Sequence, residues 1–321
     1  MKILLIRYSS LGDIVLLTAA ASSIKKALPE AEIHVLTKKE YAPVFENNPD
    51  IERVIFGVSG KVRYDYLLDL HSNLRTSVRK RLIPAKKRLT YNKASAARRV
   101  FLHSGLMQDV LNKTVIERYT EPLINEGLKL DYAPPKIIIS PEEAAGAAKA
   151  APENPYIAFV PGARWPTKEW PAEKFISLAV KCIKHLGKDI LILGGSGEEA
   201  LAERIYSGTG LLKKHITNLA GKTGLREFFA LIASSTALVA PDSSALHIAW
   251  ATGTPVVALF GPTVKEFGFQ PADEKVVILE KEMDCRPCSL HGSEKCKYRD
   301  RACLQRIEVD EVFNELKNFT E

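Results

Sequence analysis

Residues 239–262 read VAPDSSALHIAWATGTPVVALFGP and decide the fold. The stretch begins and ends in short apolar runs that predict buried strands, and the residues between them predict a tight polar turn and a short helix. The turn holds Asp242, Ser243 and Ser244, and His247 follows on the helix. Because the first backbone N–H groups of a helix are unpaired, they favour phosphate. The stretch therefore predicts a strand–helix–strand unit with an anion site where the helix begins.

The same alternation of strand-sized apolar runs and helical segments continues on both sides of this stretch. Strands are predicted at 2–8, 32–37, 52–58, 64–71, 136–140, 155–162, 189–195, 215–221 and 275–281. Such alternation is typical of parallel β-α-β units, so we expect two doubly wound, Rossmann-like α/β domains. Proline-containing breaks around an alanine-rich helix place the boundary between residues 1–150 and 151–321. The last helix, near residues 308–319, shows no readable partner and is left open to pack back on the N-terminal domain.

Composition excludes several classes of protein. The 321 residues are 46% hydrophobic and 26% charged, as in an ordinary globular protein, and no apolar run is long enough to cross a bilayer. The N-terminal MKILLIRYSSLGD lacks the features of a signal peptide, so we expect a cytoplasmic protein without a transmembrane segment. The net charge of +7 indicates an anionic partner: a nucleic acid, a membrane surface or a phosphorylated substrate.

Much of the positive charge lies in residues 74–99, which contain no Asp or Glu. A charge run is usually a solvated face, but the complete absence of acids favours an anion-binding surface. The segment has a single aromatic residue, Tyr91, and the chain has no nucleic-acid-binding motif, which argues against a non-catalytic nucleic-acid-binding protein.

Three loops follow predicted strands and carry candidate binding groups. In RYSSLGD, Asp13 comes at the start of a helix, where it is either a helix cap or a general base. In VPGARWPTKEWP, Arg164 and Lys168 suit a diphosphate leaving group, or belong to a basic loop stiffened by proline. The turn GGSGEE at 194–199 permits close approach of a nucleotide, although the local sequence favours a plain strand-to-helix turn. His247 is either a core residue or a ligand contact beside the anion site.

Four of the five cysteines cluster near the C-terminus, at Cys285, Cys288, Cys296 and Cys303. A single C-x-x-C followed by two widely spaced cysteines is compatible with zinc but lacks the paired arrangement typical of such sites. We therefore expect reduced structural thiols and no metal.

Taken in order, these motifs resemble the ADP-heptose:lipopolysaccharide heptosyltransferases, which are GT-B glycosyltransferases. The resemblance rests on RYSSLGDIVLLTAA, PGARWPTKEWP, LGGSGEE, NLAGKTGLREFFALIASS and PDSSALHIAWATGTPVVALFGPT, and it spans nearly the whole chain. It implies two α/β domains facing a cleft, with the acceptor on the N-terminal domain and the sugar nucleotide on the C-terminal domain. The chain departs from the family's D-[TS]-G-L-x-H signature at Ser244 and Ala245.

The resemblance implies an inverting transfer of heptose from ADP-heptose to the inner core of lipopolysaccharide, without a further cofactor. Asp13 falls on the catalytic base. The implied donor-binding residues are Arg164, Lys168, Ser196, Asp242, Ser243, Ser244 and His247. The implied acceptor-binding residues are Ser10, Arg75 and Arg79, facing an anionic lipopolysaccharide core at the inner membrane surface, so the protein is expected to be peripheral to that membrane. A GT-B enzyme for another nucleotide sugar is the alternative, and which core heptose is added is left open.

Overall fold

The structure is a computed structural model and describes residues 1–58 and 60–320. The chain divides into two compact units. The N-terminal unit comprises Met1–Ile138 and Glu266–Phe269, and the C-terminal unit comprises Ile139–Lys265 and the chain from Gln270 onward. The boundary thus lies 12 residues before the expected position of residue 150, because the alanine-rich helix packs on a helix of the C-terminal unit.

The N-terminal unit is built on a five-stranded parallel sheet with the order β3-β2-β1-β4-β5. Its strands are β1 (Lys2–Ile6), β2 (Glu32–Leu36), β3 (Arg53–Ile55), β4 (Tyr64–Asp69) and β5 (Ala85–Thr90). Its helices are α1 (Leu11–Ala27), α2 (Leu74–Arg79), α3 (Ser95–Ser104) and α4 (Val115–Ile124). The central strand β1 is buried on both faces, which explains why KILLI reads as a continuous apolar run rather than an alternating one.

The C-terminal unit has a six-stranded parallel sheet with the order β11-β10-β9-β6-β7-β8. Its strands are β6 (Tyr156–Phe159), β7 (Asp189–Ile192), β8 (Ile216–Asn218), β9 (Ala237–Pro241), β10 (Val256–Phe260) and β11 (Val276–Glu280). Its helices are α5 (Pro141–Ala150), α6 (Ala172–Leu186), α7 (Glu199–Gly208), α8 (Leu225–Ala233), α9 (Ser244–Thr252), α10 (Ala302–Gln305) and α11 (Val309–Thr320). The two parallel sheets confirm the predicted doubly wound α/β architecture.

Strand order locates the binding edge of each sheet. In the N-terminal unit the direction of chain progression reverses between β1 and β4, and in the C-terminal unit it reverses between β6 and β9. Ligands of open α/β sheets bind beyond the carboxyl ends of the strands at such a reversal. Asp13 lies in the first turn of α1, directly after the loop that follows β1, and the loops after β6 and β9 carry Lys168 and Asp242, so the topology places three sequence-predicted residues at the two reversals.

One prediction about secondary structure is wrong, and one strand was not predicted. Residues 136–140, all of which the structure describes, form no strand. This segment runs beside α1, where the Lys136 N–H donates to Thr18 Oγ1 and the Lys136 carbonyl accepts from Asn48, so side chains replace a sheet ladder. Conversely, the basic segment contains β5, whose charged residues are tolerated because it is an edge strand.

The final helix, α11, has its apolar face in the core of the C-terminal unit. Val312, Phe313 and Leu316 join the cluster formed by strands β6, β7 and β9 and helix α6. The side chains are buried because their spacing puts them on one helix face. The structure therefore does not show the packing on the N-terminal domain that the sequence left open.

Candidate active site

An ion pair joins Arg7, which directly follows β1, to Asp13 in the first turn of α1. Arg7 Nη2 lies 2.6 Å from Asp13 Oδ2, and the two side chains are 7% and 15% exposed. Arg7 is fixed on its other side, where it donates to the backbone carbonyls of Ser9 and Leu70 and to the Tyr91 hydroxyl. A charge this deeply buried is stable only when it is paired and hydrogen-bonded in this way.

Ser10, rather than Asp13, is the N-cap of α1. Its backbone N–H donates to Asp13 Oδ2 at 3.1 Å, and its hydroxyl donates to the same oxygen at 2.9 Å. Asp13 occupies the third helical position, where an acid completes a capping box. The capping and catalytic interpretations of Asp13 are therefore compatible, because the cap contacts use Oδ2 while Oδ1 receives only a 3.3 Å hydrogen bond from Tyr119.

The charge of Asp13 is set by two opposing influences. Burial acts to raise the pKa of its carboxyl, but the Arg7 guanidinium and the hydrogen bonds from Ser10 outweigh burial and leave the pKa below its usual value. The carboxylate is consequently ionised at neutral pH. It presents one lightly held oxygen at the binding edge of the N-terminal sheet, which is the state that a general base requires.

Several titratable groups surround this ion pair. Burial raises the pKa of Tyr91 and of Tyr119, so both phenols stay protonated, and Tyr119 is therefore a hydrogen-bond donor to Asp13. Burial, followed by the charge of Arg7, lowers the pKa of Lys93 and lowers that of His71 to about 4. His71 is consequently neutral at physiological pH. The cluster thus concentrates perturbed groups around one carboxylate, a pattern typical of functional sites.

The C-terminal unit holds a second ion pair, between Lys168 and Asp242. Lys168 Nζ lies 2.5 Å from Asp242 Oδ2, and the Thr263 hydroxyl donates to the same oxygen at 2.6 Å. Burial acts to raise the pKa of Asp242, but Lys168, Thr263 and then His247 outweigh it and lower the pKa below its usual value. The ion pair therefore joins the loop after β6, which carries Lys168, to the loop after β9, which carries Asp242. It places the lysine charge at the strand reversal.

Helix α9 begins directly after this pair. Ser243 is its N-cap, and the Ser243 hydroxyl accepts a 3.4 Å hydrogen bond from the Ala245 N–H. Ser244 is the first helical residue, and His247 lies one turn on with 4% of its surface exposed. The strand, turn and helix predicted from residues 239–262 are thus present, with the partly positive helix start beside the Lys168 ammonium.

In the turn after β7, the side chain that contacts the surrounding backbone is that of Glu198 and not that of Ser196. The Glu198 carboxylate accepts the Gly195 N–H at 2.7 Å and lies directly over Gly162 and Gly194, where a Cβ atom would meet it at 2.4 and 2.7 Å. Burial, followed by repulsion from Glu169 and Glu199, raises its pKa. Ser196 is exposed and makes no hydrogen bond to the described residues.

The remaining candidate cations, Arg164, Arg79 and Arg75, differ in whether they contact other side chains. The Arg164 guanidinium stacks on Trp165 at 5.5 Å from the ring centroid and is exposed. The Arg79 guanidinium lies 5.4 Å from the Tyr8 ring centroid, which ties α2 to the loop that carries Asp13. Arg75 is exposed and has no ion pair within the described chain.

The cysteine cluster forms a loop folded against the end of β10. The Cys288 N–H donates to the Pro262 carbonyl, and Leu304, next to Cys303, packs against Gly261. Burial raises the pKa of the Cys288 thiol to about 11, with further contributions from the other three thiols of the loop. Among residues 1–58 and 60–320, no group of three or more His, Cys, Asp and Glu side chains is arranged to hold a metal ion. All described cysteines are free thiols.

Sequence reasoning missed three members of these sites: Arg7, Tyr119 and Glu198. Arg7 begins the motif RYSSLGD but was assigned no role. A cation at the end of a buried strand nevertheless indicates that it has a buried partner. Tyr119 lies 106 residues from Asp13 and carried no local signal. Glu198 was noted but assigned no contact, because its reach over Gly162 depends on the neighbouring strand.

Comparison with known proteins identifies the family of this chain. The model of glycosyltransferase family 9 (heptosyltransferase) matches residues 59–298. Lipooligosaccharide heptosyltransferase 2 of Haemophilus influenzae is 26% identical, with 87% of this chain and 88% of that protein covered.

Two solved structures show the same fold. The E. coli ADP-heptose lipopolysaccharide heptosyltransferase II superimposes with a TM-score of 0.78 at 21% identity, covering 100% of this chain and 98% of that one. A glycosyltransferase family 9 protein of Veillonella parvula gives a TM-score of 0.80 at 21% identity, covering 99% and 97%. The two parallel-sheet units are those of the GT-B architecture. The chain therefore belongs to glycosyltransferase family 9, the heptosyltransferases, and is a glycosyltransferase.

Proposed function

We propose that this enzyme transfers heptose from ADP-heptose to the inner core of lipopolysaccharide, with inversion at the anomeric carbon. The observation that carries the proposal is the ionised Asp13 carboxylate, held at the strand reversal of the N-terminal sheet with one oxygen lightly engaged, in a chain of the heptosyltransferase family. A base so placed suits attack by a sugar hydroxyl on an activated sugar.

In this scheme the two oxygens of Asp13 have different tasks. Oδ2 accepts from Arg7 and twice from Ser10, which fixes the orientation of the carboxylate. Oδ1 takes the proton of the acceptor hydroxyl as the hydroxyl oxygen bonds to the anomeric carbon and the bond from that carbon to the diphosphate breaks. Tyr119 then donates to the same oxygen and limits its rotation.

The negative charge that develops on ADP is assigned to groups of the C-terminal unit. Lys168 exchanges its contact with Asp242 for the diphosphate, and the backbone N–H groups of Ser243 and Ser244 meet the phosphate oxygens at the start of α9. Arg164 supplies a further cation from the loop after β6. Asp242 and His247 are assigned to the sugar. Preorganised donors of this kind stabilise a leaving group that carries charge, without a cofactor beyond the donor substrate.

The acceptor is assigned to the N-terminal unit. Arg75 and Arg79 lie on α2, after the reversal strand β4, and their charge suits the carboxylates and phosphates of a lipopolysaccharide core. We assign the enzyme to the cytoplasmic face of the inner membrane, as a peripheral protein. Among the described residues, no helix is both long and apolar enough to cross a bilayer.

The test is Asp13→Asn assayed with ADP-heptose and a defined truncated core acceptor. Transfer should fall by about a hundredfold to ten-thousandfold, since general base catalysis contributes factors of that size. Binding of the donor, measured by calorimetry, should be unchanged. Asp131→Asn is the matched control, because Asp131 is an 82% exposed acid of the same unit. Full activity of Asp13→Asn would refute the assignment of the base.

A glycosyltransferase for another nucleotide sugar is the second candidate, and Ser244 and Ala245 favour it because both depart from the family signature at the sugar site. Thermal shifts with ADP-, UDP- and GDP-sugars separate the two. Stabilisation by ADP-heptose alone supports the first function, whereas a larger shift with a UDP- or GDP-sugar supports the second.

A further inference from the structure

Helix α2 and the 3-10 turn that follows it, Lys80–Leu82, expose a row of large apolar side chains. Leu74 is 88% exposed, Val78 62% and Leu82 67%. Leu74 and Val78 are four residues apart and lie on one side of α2, and Leu82 follows four residues later in the 3-10 turn. Isolated exposed leucines are ordinary, but three in a row on one short element form a coherent surface, which we name the apolar stripe.

The apolar stripe is bordered by cations that the protein itself leaves uncompensated. Arg75 and Arg81 are exposed and have no hydrogen bond or ion pair within the described chain. Neighbouring cations are used internally: Lys80 lies 3.6 Å from Asp69, and Arg88 donates to three backbone carbonyls. Residues 74–99, which carry the stripe, contain no acid, so this segment contributes only positive charge to the surface around it. Apolar side chains bordered by basic ones are the composition of an interfacial membrane segment.

The stripe is connected to the catalytic loop of the same unit. The Arg79 guanidinium packs on the Tyr8 ring, and Tyr8 makes an edge contact with His71 at 5.9 Å between centroids. Tyr8 lies between Arg7 and Ser10, the two residues that hold Asp13. A membrane or partner surface that contacts α2 therefore lies close to Asp13, the proposed base.

We propose that the apolar stripe docks the enzyme on an anionic phospholipid bilayer, with Leu74, Val78 and Leu82 entering the headgroup–acyl boundary and Arg81 contacting lipid phosphates. A bilayer fits this surface better than a protein partner, because α2 is only six residues long and exposed cations without an ion pair in the described chain border its apolar side chains. The inference deepens the proposed function, on which it rests, by giving the way in which the base reaches a lipid-borne acceptor.

The test is co-sedimentation with vesicles of phosphatidylcholine alone and of phosphatidylcholine with phosphatidylglycerol. The wild-type chain should bind the anionic vesicles, and binding should weaken as salt is raised. The triple variant Leu74→Ser, Val78→Ser, Leu82→Ser should lose at least about tenfold in partition coefficient. Arg81→Gln should lose about fivefold on anionic vesicles only. Leu211→Ser is the matched control, since Leu211 is 98% exposed and lies in the C-terminal unit.

Activity separates this inference from the proposed function. The triple variant should transfer heptose to a water-soluble truncated acceptor as the wild type does, and should lose transfer to an acceptor embedded in vesicles. If the wild type binds anionic vesicles but transfers no heptose, the docking surface stands and the proposed function fails. Equal vesicle binding by the triple variant and the wild type overturns the docking surface. A wild-type dimer that becomes monomeric in the triple variant also overturns it, by showing that a second copy covers the stripe.

Discussion

Arg7 and Asp13 form a largely buried ion pair in which a single carboxylate oxygen, Oδ2, takes all the contacts from Arg7 and Ser10. The asymmetry matters chemically because these contacts hold the carboxylate ionised and oriented through Oδ2 and do not engage Oδ1, the oxygen to which the proposed mechanism assigns the acceptor proton. In that proposal Arg7 is a positioning residue that acts through Asp13.

Replacing Arg7 by Met should raise the pKa of Asp13. Burial is the largest influence on that carboxyl and acts to raise its pKa, and the charge of Arg7 is the largest influence that lowers it. The acid limb of the pH profile of kcat/KM should therefore move to higher pH. Loss of the pair should also lower the free energy of unfolding by about 3 kcal/mol. Steady-state kinetics across pH and urea unfolding measure the two effects.

Arg7→Lys is the companion variant if Arg7→Met folds poorly, because it keeps the charge but not the planar fork. Its acid limb should move less than that of Arg7→Met. Arg99→Met, at an exposed position of the same unit, serves as the control. An acid limb that stays in place in a folded Arg7→Met protein would contradict the role of Arg7.

Lys168→Met should reduce kcat by about a hundredfold to a thousandfold, because it removes a preorganised cation from the leaving diphosphate. Thr263→Val removes a different contact to the same Asp242 oxygen and leaves the cation in place. It should reduce kcat far less and cost about 1 kcal/mol of stability. Lys222→Met is the control for loss of an exposed lysine in this unit. Equal losses in Lys168→Met and Thr263→Val would mean that Lys168 acts only by holding Asp242.

These contacts show what a sequence conveys and what it does not. Strands β1, β6, β9 and β10 were predictable because each is a short apolar run buried on both faces. The edge strand β5 was not predictable, since its pattern is set by exposure and charge rather than by a core.

For the site, local signals identified single residues and missed their partners. Asp13, Lys168 and Asp242 each follow a predicted strand, so their place at the sheet edge could be predicted. That Lys168 pairs with Asp242, 74 residues away, depends on β6 and β9 being neighbours. Tyr119 reaches Asp13 from α4, which no pattern near Asp13 reveals.

Substitutions of Glu198 and of Ser196 should have different effects on the KM for the donor nucleotide. The Glu198 carboxylate lies over the ends of β6 and β7, where the ribose of a nucleotide would lie at the sheet edge, so Glu198→Gln should raise the KM for the donor about tenfold. Ser196→Ala should leave it nearly unchanged because that side chain is exposed and makes no hydrogen bond to the described residues. Donor KM and calorimetric affinity measure both. A larger effect of Ser196→Ala would restore the sequence-based assignment.

Because of His71, the protein should lose stability as the pH is lowered from about 6.5 to about 4. Burial, followed by the charge of Arg7, lowers the pKa of His71 from 6.5 to about 4, so the folded protein keeps this imidazole neutral. Below the unfolded pKa the unfolded chain takes up a proton that the folded chain does not, and this uptake favours unfolding. His71→Gln removes the effect and should reduce the loss of stability on going from about pH 7.5 to about pH 5, as measured by urea midpoints. His103→Gln, at an exposed histidine of the same unit, should retain the wild-type dependence. A His71→Gln protein whose midpoint falls as steeply as that of the wild type would show that His71 is not held neutral by its surroundings.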